Sequence, residues 1–210
     1  MNRKKPAPGK RKPVAARERI LSAAGGLFYT RGYQAAGIDR IVSEAGVYKK
    51  SLYWHFKSKE DLGEAYLKIQ EKAITEILQK IMTRHPEFSR MVRSWIRVIR
   101  ISLKKDYQNG CPFANFHSQT HGVKKFEKQT LGIFQRWRKI LEDYIAVCRF
   151  QNPYFQPDPA DFADHVLMLY QGSLQMYSLT GEEKFIAILE KELLELEFQK
   201  GAKSETTRIR

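Results

Sequence analysis

Apolar side chains recur at intervals of three and four residues along most of this chain, and no alternating run is long enough to indicate a β-strand. That periodicity predicts an all-α fold of about nine helices. Glycines and prolines divide the pattern, and Gly32 is expected to close the first helix in the left-handed conformation that glycine adopts at helix ends. Further breaks are expected at Gly46, the His85–Pro86 pair, residues 152–159 and Gly181.

The predicted helices cover residues 14–31, 38–45, 48–56, a fourth helix that begins after residues 58–61 and runs to about 82, 86–103, a short helix from 112, 123–150, 158–179 and 182–199. Ser58 is expected to cap the fourth of them. Gly25 and Gly26 fall inside the first helix, where each costs about 1 kcal/mol relative to alanine. Close packing against a neighbouring helix would explain why they are tolerated.

Charge divides the chain into a basic N-terminal part and an acidic C-terminal part. Residues 1–60 carry 14 Lys and Arg against four Asp and Glu, whereas residues 158–199 carry nine acidic side chains and two basic ones. The net charge of +14 therefore predicts a polyanionic partner, either nucleic acid or an anionic membrane surface. Residues 1–13, with six basic side chains and three prolines, are expected to form a disordered basic arm, and residues 201–210 a disordered tail.

Other protein classes are disfavoured by what the sequence lacks. No run approaches the roughly 18 apolar residues of a membrane span and no apolar signal core begins the chain, so a cytoplasmic protein is expected. Cys111 and Cys148 are too few for a disulfide framework. His117 and His121 are spaced to share a helix face with Cys111, but no acid or second cysteine completes a metal site, and surface histidines are the preferred interpretation. No phosphate loop, carboxylate pair or nucleophile elbow indicates an enzyme, and no cofactor is expected.

Two short predicted helices meet at Gly46, where a tight turn requires a residue that tolerates positive φ. The second helix is rich in Lys, Tyr, Trp and His and has no acid, as in a helix-turn-helix whose second helix enters the major groove of DNA. The apolar residues expected to hold this pair against the first helix are Ile38, Ile41, Val42, Ala45, Val47 and Leu52. Trp54 is interpreted as half-buried core. The more exposed set is Tyr48, Lys49, Lys50, Ser51, Tyr53 and His55.

The stretch from Gly32 to Leu62, GYQAAGIDRIVSEAGVYKKSLYWHFKSKEDL, resembles the N-terminal domain of TetR/AcrR-type regulators. The resemblance extends over about residues 14–73. It implies a three-helix DNA-binding domain over residues 14–73 and a six-helix ligand-binding and dimerisation body over residues 74–200. It also implies a homodimer that binds a palindromic double-stranded DNA operator and, in the usual mode of the family, a repressor released by a small-molecule inducer.

The resemblance further implies residue roles. Tyr48, Lys49 and Lys50 stand at the start of the recognition helix, which faces base edges, where lysine can donate to guanine. The positions of Ser51, Tyr53 and His55 usually touch the phosphate backbone in the family. Lys59, at the start of the fourth helix, matches a position that commonly contacts phosphate.

The sequence departs from the family pattern at three of these places. Ala36 and Gly37 stand where a hydroxyl residue commonly caps the second helix, so the side-chain contact with phosphate is lost at that position. Backbone amides at Gly37 are expected to contact the phosphate instead. Tyr48 replaces a common serine and Lys50 a common glycine. The base contacts that are usual in the family therefore do not predict the operator sequence of this chain.

The predicted body offers aromatic side chains for an apolar ligand cavity, although such a stripe is more often packed core. Cys111 belongs to a segment, residues 109–115, that resembles a Gly-Cys segment found in a subset of these regulators, some of which sense oxidants or electrophiles. A thiol near a helix N-terminus can have a lowered pKa, which makes an oxidant-sensing repressor the alternative function; a buried cysteine that acts as a small apolar residue is the other interpretation. The remaining candidate ligand residues are Trp95, Phe113, Phe116, Phe134, Trp137, Tyr144, Tyr170 and Met176.

The last two predicted helices have more apolar surface than a pair of helices can bury alone, so they are expected to form the homodimer interface. A ligand in the body is expected to tilt the fourth helix and misalign the two DNA-binding units. A basic amphipathic protein of membrane surfaces or RNA is the remaining alternative, and sequence-dependent, salt-sensitive binding to a duplex would distinguish the operator-binding regulator from it.

Overall fold

The computed structural model describes residues 15–197, which form nine helices and no strand. The predicted all-α fold is confirmed. The predicted basic arm and C-terminal tail lie outside the described residues. Within the described range no helix is long and apolar enough to cross a membrane. The helices are α1 Ala16–Arg31, α2 Ile38–Ala45, α3 Lys49–His55, α4 Lys59–Arg84, α5 Phe88–Asp106, α6 Pro112–Gln119, α7 Lys124–Gln151, α8 Pro159–Thr180 and α9 Lys184–Leu196.

The predicted helix ends are correct to within a few residues, and one cap differs in kind. Gly32 follows α1 with φ 92° and ψ 152°, so its φ is positive but its conformation is not the left-handed helical one that was predicted. That extended region at positive φ is open almost only to glycine. Ser58 caps α4 as expected, since its Oγ accepts a hydrogen bond from the Asp61 amide at 3.1 Å. The α5 helix ends at Asp106, three residues beyond its predicted end, so Lys104, Lys105 and Asp106 belong to its last turn.

Helices α1 to α3 form a compact N-terminal unit around a small apolar core. The side chains of Ile20, Ala24 and Phe28 on α1 are buried, and Ile41 and Leu52 contribute one fully buried side chain each from α2 and α3. Such short helices are not stable alone, so burial against α1 is what holds them. The remaining predicted core residues, Ala45, Ile38, Val42 and Val47, are buried or packed against this core.

An aromatic cluster joins the N-terminal unit to the body, α4 to α9. Phe116 of α6 lies at its centre, with ring centroids 6.0 Å from Phe28, 5.3 Å from Tyr33, 5.4 Å from Tyr66 and 5.1 Å from Phe126. Most of these pairs are tilted or edge-to-face, the arrangement that aromatic quadrupoles favour. The two parts therefore share a packed apolar boundary, and the predicted division after residue 73 falls inside the continuous helix α4.

Hydrogen bonds tie the end of α1 to the α5–α6 loop; we call this set the Tyr29 latch. The hydroxyl of Tyr29 donates to Gly110 O at 2.9 Å and accepts from the Asn109 amide at 2.8 Å. Asn109 Nδ2 also donates to Tyr29 O at 3.3 Å. The latch makes the N-terminal unit sensitive to any movement of this loop, because a part-buried donor or acceptor that loses its partner costs about 1–3 kcal/mol.

The adjacent glycines of α1 have different surroundings, which gives a prediction on stability. A Cβ on Gly25 would lie 3.3 Å from Cδ2 of Tyr66, whereas a Cβ on Gly26 would meet nothing within 4 Å. We expect Gly26→Ala to raise the free energy of unfolding by about 0.5–1 kcal/mol, since alanine removes the entropic cost of a helical glycine. Gly25→Ala should gain less or lose stability because it presses on the aromatic cluster. Urea unfolding of both variants at one protein concentration tests this, and a Gly25→Ala gain equal to that of Gly26→Ala would contradict it.

Candidate nucleic-acid interface

The turn between α2 and α3 is built around Gly46. Its φ of 60° and ψ of 44° place it in the left-handed region, as predicted. The amide of Gly46 donates to Ser43 O at 3.2 Å, and that of Val47 donates to Val42 O at 3.1 Å. These bonds satisfy carbonyls at the end of α2 and fix the direction in which α3 leaves the turn.

The face of α3 that points away from the core is aromatic and basic. Leu52 anchors the helix in the core, while Tyr48, Lys49 and Lys50 at its start are exposed, Tyr48 to 88%. Lys50 makes no ion pair within residues 15–197. An exposed tyrosine and lysine on a rigid helix are groups that can donate to base edges and phosphates.

The other predicted contact residues surround this face. Tyr53 and His55 are exposed on α3, and Ser51 is half-buried. Gly37 is exposed at the start of α2, with no side chain capping that helix, so the amides of its first turn have no side-chain partner. All four lie on the α2–α3 pair, and their contacts with DNA stay a prediction.

Trp54 corrects the sequence interpretation. It was expected to be half-buried core, but its side chain is 85% exposed. The physical reason is position: Trp54 follows Leu52 by two residues, which places it about 200° around the helix from the buried anchor. That spacing was available from the sequence, so Trp54 is a candidate contact residue that sequence reasoning missed.

Lys49 is held by a neighbour that the sequence reading did not connect to it. Its Nζ lies 2.8 Å from Oδ1 of Asp39 on α2, and both side chains are more than half exposed. Hydrogen bonding with Asp39 raises the pKa of Lys49. The ion pair joins the first turns of α2 and α3 and draws Lys49 toward α2, whereas Lys50 makes no ion pair among residues 15–197 and can meet a ligand at the start of α3.

Lys59 also has a structural partner. Its Nζ donates to Gln34 O at 3.1 Å and lies 4.7 Å from the centre of the Tyr33 ring. Burial lowers the pKa of Lys59. These contacts join α4 to the segment before α2. To contact phosphate as predicted, the Lys59 ammonium must therefore leave these partners or share them with the phosphate.

The predicted ligand residues of the body do not form one group. Trp95 stacks on Tyr170 with centroids 5.1 Å apart, and Trp137 meets the same ring edge-on at 5.3 Å. Phe113 is buried. Phe116 belongs to the aromatic cluster, so Phe116 packs at the boundary between the N-terminal unit and the body. The remaining predicted residues differ in exposure: Tyr144 is buried, and Phe134 and Met176 are partly exposed.

Cys111 is buried, in agreement with its interpretation as a small apolar residue and against the alternative of a lowered thiol pKa. Burial raises the pKa of Cys111, and this cause exceeds the opposing effect of nearby backbone amides. Its Sγ accepts a hydrogen bond from Gln171 Nε2 at 3.6 Å. A buried, protonated thiol is a poor nucleophile, so the oxidant-sensing alternative loses its physical basis.

We therefore expect the native protein to react slowly with a thiol reagent. Cys111 and Cys148 are both buried and burial raises the pKa of each, so alkylation at neutral pH should be slower by at least about tenfold than in denaturant. Mass spectrometry after timed exposure to iodoacetamide measures the rate at each cysteine. Fast labelling of Cys111 in the native protein would contradict its burial.

The histidines of α6 and the loop after it have other partners. Nδ1 of His117 lies 2.9 Å from Thr130 Oγ1 on α7, and Nδ1 of His121 lies 3.6 Å from Glu127 Oε1. No group of three metal-ligating side chains occurs in the part of the chain that the structure describes.

Comparisons with known proteins agree with this geometry. Residues 20–66 match the family described as bacterial regulatory proteins of the tetR family. Over 80% of its length the chain is 23% identical to YxaF of Bacillus subtilis, an uncharacterized HTH-type transcriptional regulator, of which it covers 87%. A second relative is the HTH-type transcriptional activator FasR of Mycolicibacterium smegmatis, 40% identical over 65 residues, which are 31% of this chain and 28% of FasR.

The fold is similar to that of a TetR-family transcriptional regulator from Streptomyces coelicolor. The TM-score is 0.74 at 26% identity, and the alignment covers 86% of this chain and 93% of the other. Whole-length similarity therefore extends to the body, while the similarity to FasR spans less than a third of that protein.

Proposed function

This chain belongs to the TetR family of DNA-binding transcriptional regulators, and we propose that it is a ligand-released repressor that binds a palindromic operator as a homodimer. The observation that carries the proposal is the exposed face of α3. Lys50 and Trp54 project from α3, whose buried residue is Leu52, and exposed Tyr48 caps the helix directly before its first turn. A helix held by one face and open on the other is suited to enter the major groove.

Within this face the side chains have separable roles. Lys50 donates to guanine acceptors, and Tyr48 beside it contacts a base or the adjoining backbone. Tyr53, Trp54, His55 and backbone amides at Gly37 contact sugar and phosphate, which positions α3 without specifying sequence. Lys49, paired with Asp39, orients α3 relative to α2.

The dimer partner is a second copy of this chain, bound through α8 and α9. Met168 and Leu179 on α8 are 64% and 76% exposed, and Gly172 between them has open space where a side chain would begin. At 100° per residue these three positions lie on one face of α8, opposite buried Val166, Tyr170 and Tyr177. Ile188 on α9 is also exposed. An apolar face of this kind supports helix packing across a two-fold axis.

Release follows from the boundary between the N-terminal unit and the body. Helix α4 extends from Lys59, beside the candidate interface, to Arg84 in the body, and it is packed against α1, α5, α6 and α7. A ligand that binds better to one tilt of α4 shifts the spacing of the two α3 helices and lowers operator affinity. Repression is the family's usual mode, whereas FasR is named an activator; reporter expression with and without this chain decides the sign.

Selection from genomic DNA tests the proposal. The purified chain is incubated with fragmented DNA of the organism that encodes it, and the retained fragments are sequenced. We expect a small set of enriched fragments that share a motif with two-fold symmetry, with half-sites about one helical turn apart. Retention without any enriched motif would contradict operator binding.

A further inference from the structure

We infer that the groove between α1, α4 and α5 is the effector site of this chain, and that its ligand is a flat, largely apolar molecule without net charge. The inference rests on the proposed function, because it names the place where a ligand would act. The groove adjoins the aromatic group of the body formed by Trp95, Trp137 and Tyr170, because Tyr107 lines the groove and its side chain also interacts with that of Tyr170.

The groove has the size and composition of a small-molecule site. Its cavity volume is about 490 Å³, within the range of about 300–1,000 Å³ that holds drug-sized ligands. Part-exposed Tyr29 and Tyr107 line it together with the edge of buried Tyr66, and Ile74, Ile77 and Val98 add aliphatic side chains. Ser22, Gln70 and Ser102 supply neutral polar groups.

The charge of the lining limits the ligand. Lys105 and Asp106 are the charged residues of the groove, they are adjacent in sequence, and their charges cancel. Neither makes an ion pair with another residue in the range 15–197. The lining therefore favours a ligand without net charge, and the part-exposed side chains of Tyr29 and Tyr107 favour one with a planar apolar surface.

Gly26 leaves open space on the side of the groove that α1 forms. The close approach of the Tyr66 ring explains why residue 25 is a glycine, but nothing lies within 4 Å of the position where a Gly26 side chain would begin. Gly26 lines the groove, and it also lines a shallower cavity between α1 and α4 that shares Ser22, Tyr66 and Gln70 with it. A helical glycine that is unnecessary for packing and costs about 1 kcal/mol is accounted for by the space that it leaves to a ligand.

The groove is placed to act on DNA binding. Tyr29 lines it and is also the centre of the Tyr29 latch, which ties α1 to Asn109 and Gly110. Tyr107 and Pro112 line it from either side of that loop. A ligand therefore touches Tyr29 and the two ends of the loop that Tyr29 holds, and any movement that it forces on α1 is passed to α2 and α3, which pack on α1.

Nile red, an uncharged planar dye whose emission rises in apolar surroundings, is the probe. We expect the unmodified chain to bind one dye per protomer and to lose operator affinity when the dye is bound. Gly26→Phe fills the groove from α1 and Ser102→Phe fills it from α5, and each should weaken dye binding by at least about tenfold. Thr83→Phe adds the same ring to an exposed position near the end of α4, outside the groove, and should leave dye binding unchanged.

Two readouts separate the groove from the proposed function. Equal dye affinity in all variants, or no dye binding to the unmodified chain, would overturn the site. Dye that binds in the groove without changing operator affinity would overturn its role as effector site. If dye binding is lost in both filled variants but the chain prefers no DNA sequence, the site is supported and the proposed function fails.

Discussion

Replacing Lys50 with alanine is expected to lower operator affinity by at least about thirtyfold while leaving the fold intact. Lys50 is exposed and has no ion pair among residues 15–197, so its loss removes no internal contact. A lysine contact to a base is worth about 1–3 kcal/mol of discrimination, and a dimer loses one in each half-site, about 2–6 kcal/mol in total. Fluorescence anisotropy with a labelled operator duplex at fixed salt measures the change.

The matched control is Lys80→Ala. Lys80 is also exposed on a helix, but it lies toward the far end of α4 from Ser58. The Lys80→Ala substitution removes the same charge from the chain. It should change operator affinity by less than about threefold, since screening over a Debye length of about 10 Å weakens the effect of distant charges. Equal losses in the two variants would mean that net charge, rather than contact by α3, binds the DNA.

Replacing Met168 with glutamate should dissociate the dimer. Met168 is 64% exposed on α8, so a carboxylate is well solvated in the monomer. In the dimer it would be buried against a second copy, at a cost of at least about 2 kcal/mol, or roughly thirtyfold in the dissociation constant. Light scattering at micromolar concentration should show a fall from about 49 kDa toward the 24.5 kDa of one chain. Operator affinity should fall with it, since each half-site is then bound separately.

Two further variants make this result specific. Gly172→Trp has room in the monomer, because nothing lies within 4 Å of its Cβ position, yet it blocks close approach of a second α8. It should also dissociate the dimer. Leu131→Glu on α7 introduces the same charge at a similarly exposed apolar position outside the α8–α9 face and should leave the mass unchanged. A dimer that persists in both α8 variants would place the interface elsewhere.

The N-terminal unit could be predicted from the sequence because its determinants are local. The spacing of Ile41, Ala45 and Leu52 fixes which faces of two short helices are buried, and Gly46 fixes the turn between them. The same spacing predicts that Trp54 is exposed, but its apolar character was given more weight than its position. For a residue on a short helix, the angle from the buried anchor is the better guide.

The body and the effector groove could not be predicted because they depend on contacts distant in sequence. Tyr29 and Asn109, for example, are 80 residues apart. Cys111 illustrates the limit most clearly. Its place before α6 suggested a lowered pKa, yet burial by α8 and the aromatic residues around it has the larger effect and raises it. Gly26 was noticed in the sequence, but only the structure shows that it faces open space.

The most direct test of the central claim compares two duplexes of identical composition, one with the selected operator and one with its sequence scrambled. Binding is measured for each between 50 and 300 mM salt, a range chosen because phosphate contacts weaken steeply with salt. We predict that the operator binds at least about a thousandfold more tightly at physiological salt, and that Lys50→Ala removes most of this preference. Equal affinity for both duplexes at every salt concentration would contradict the account.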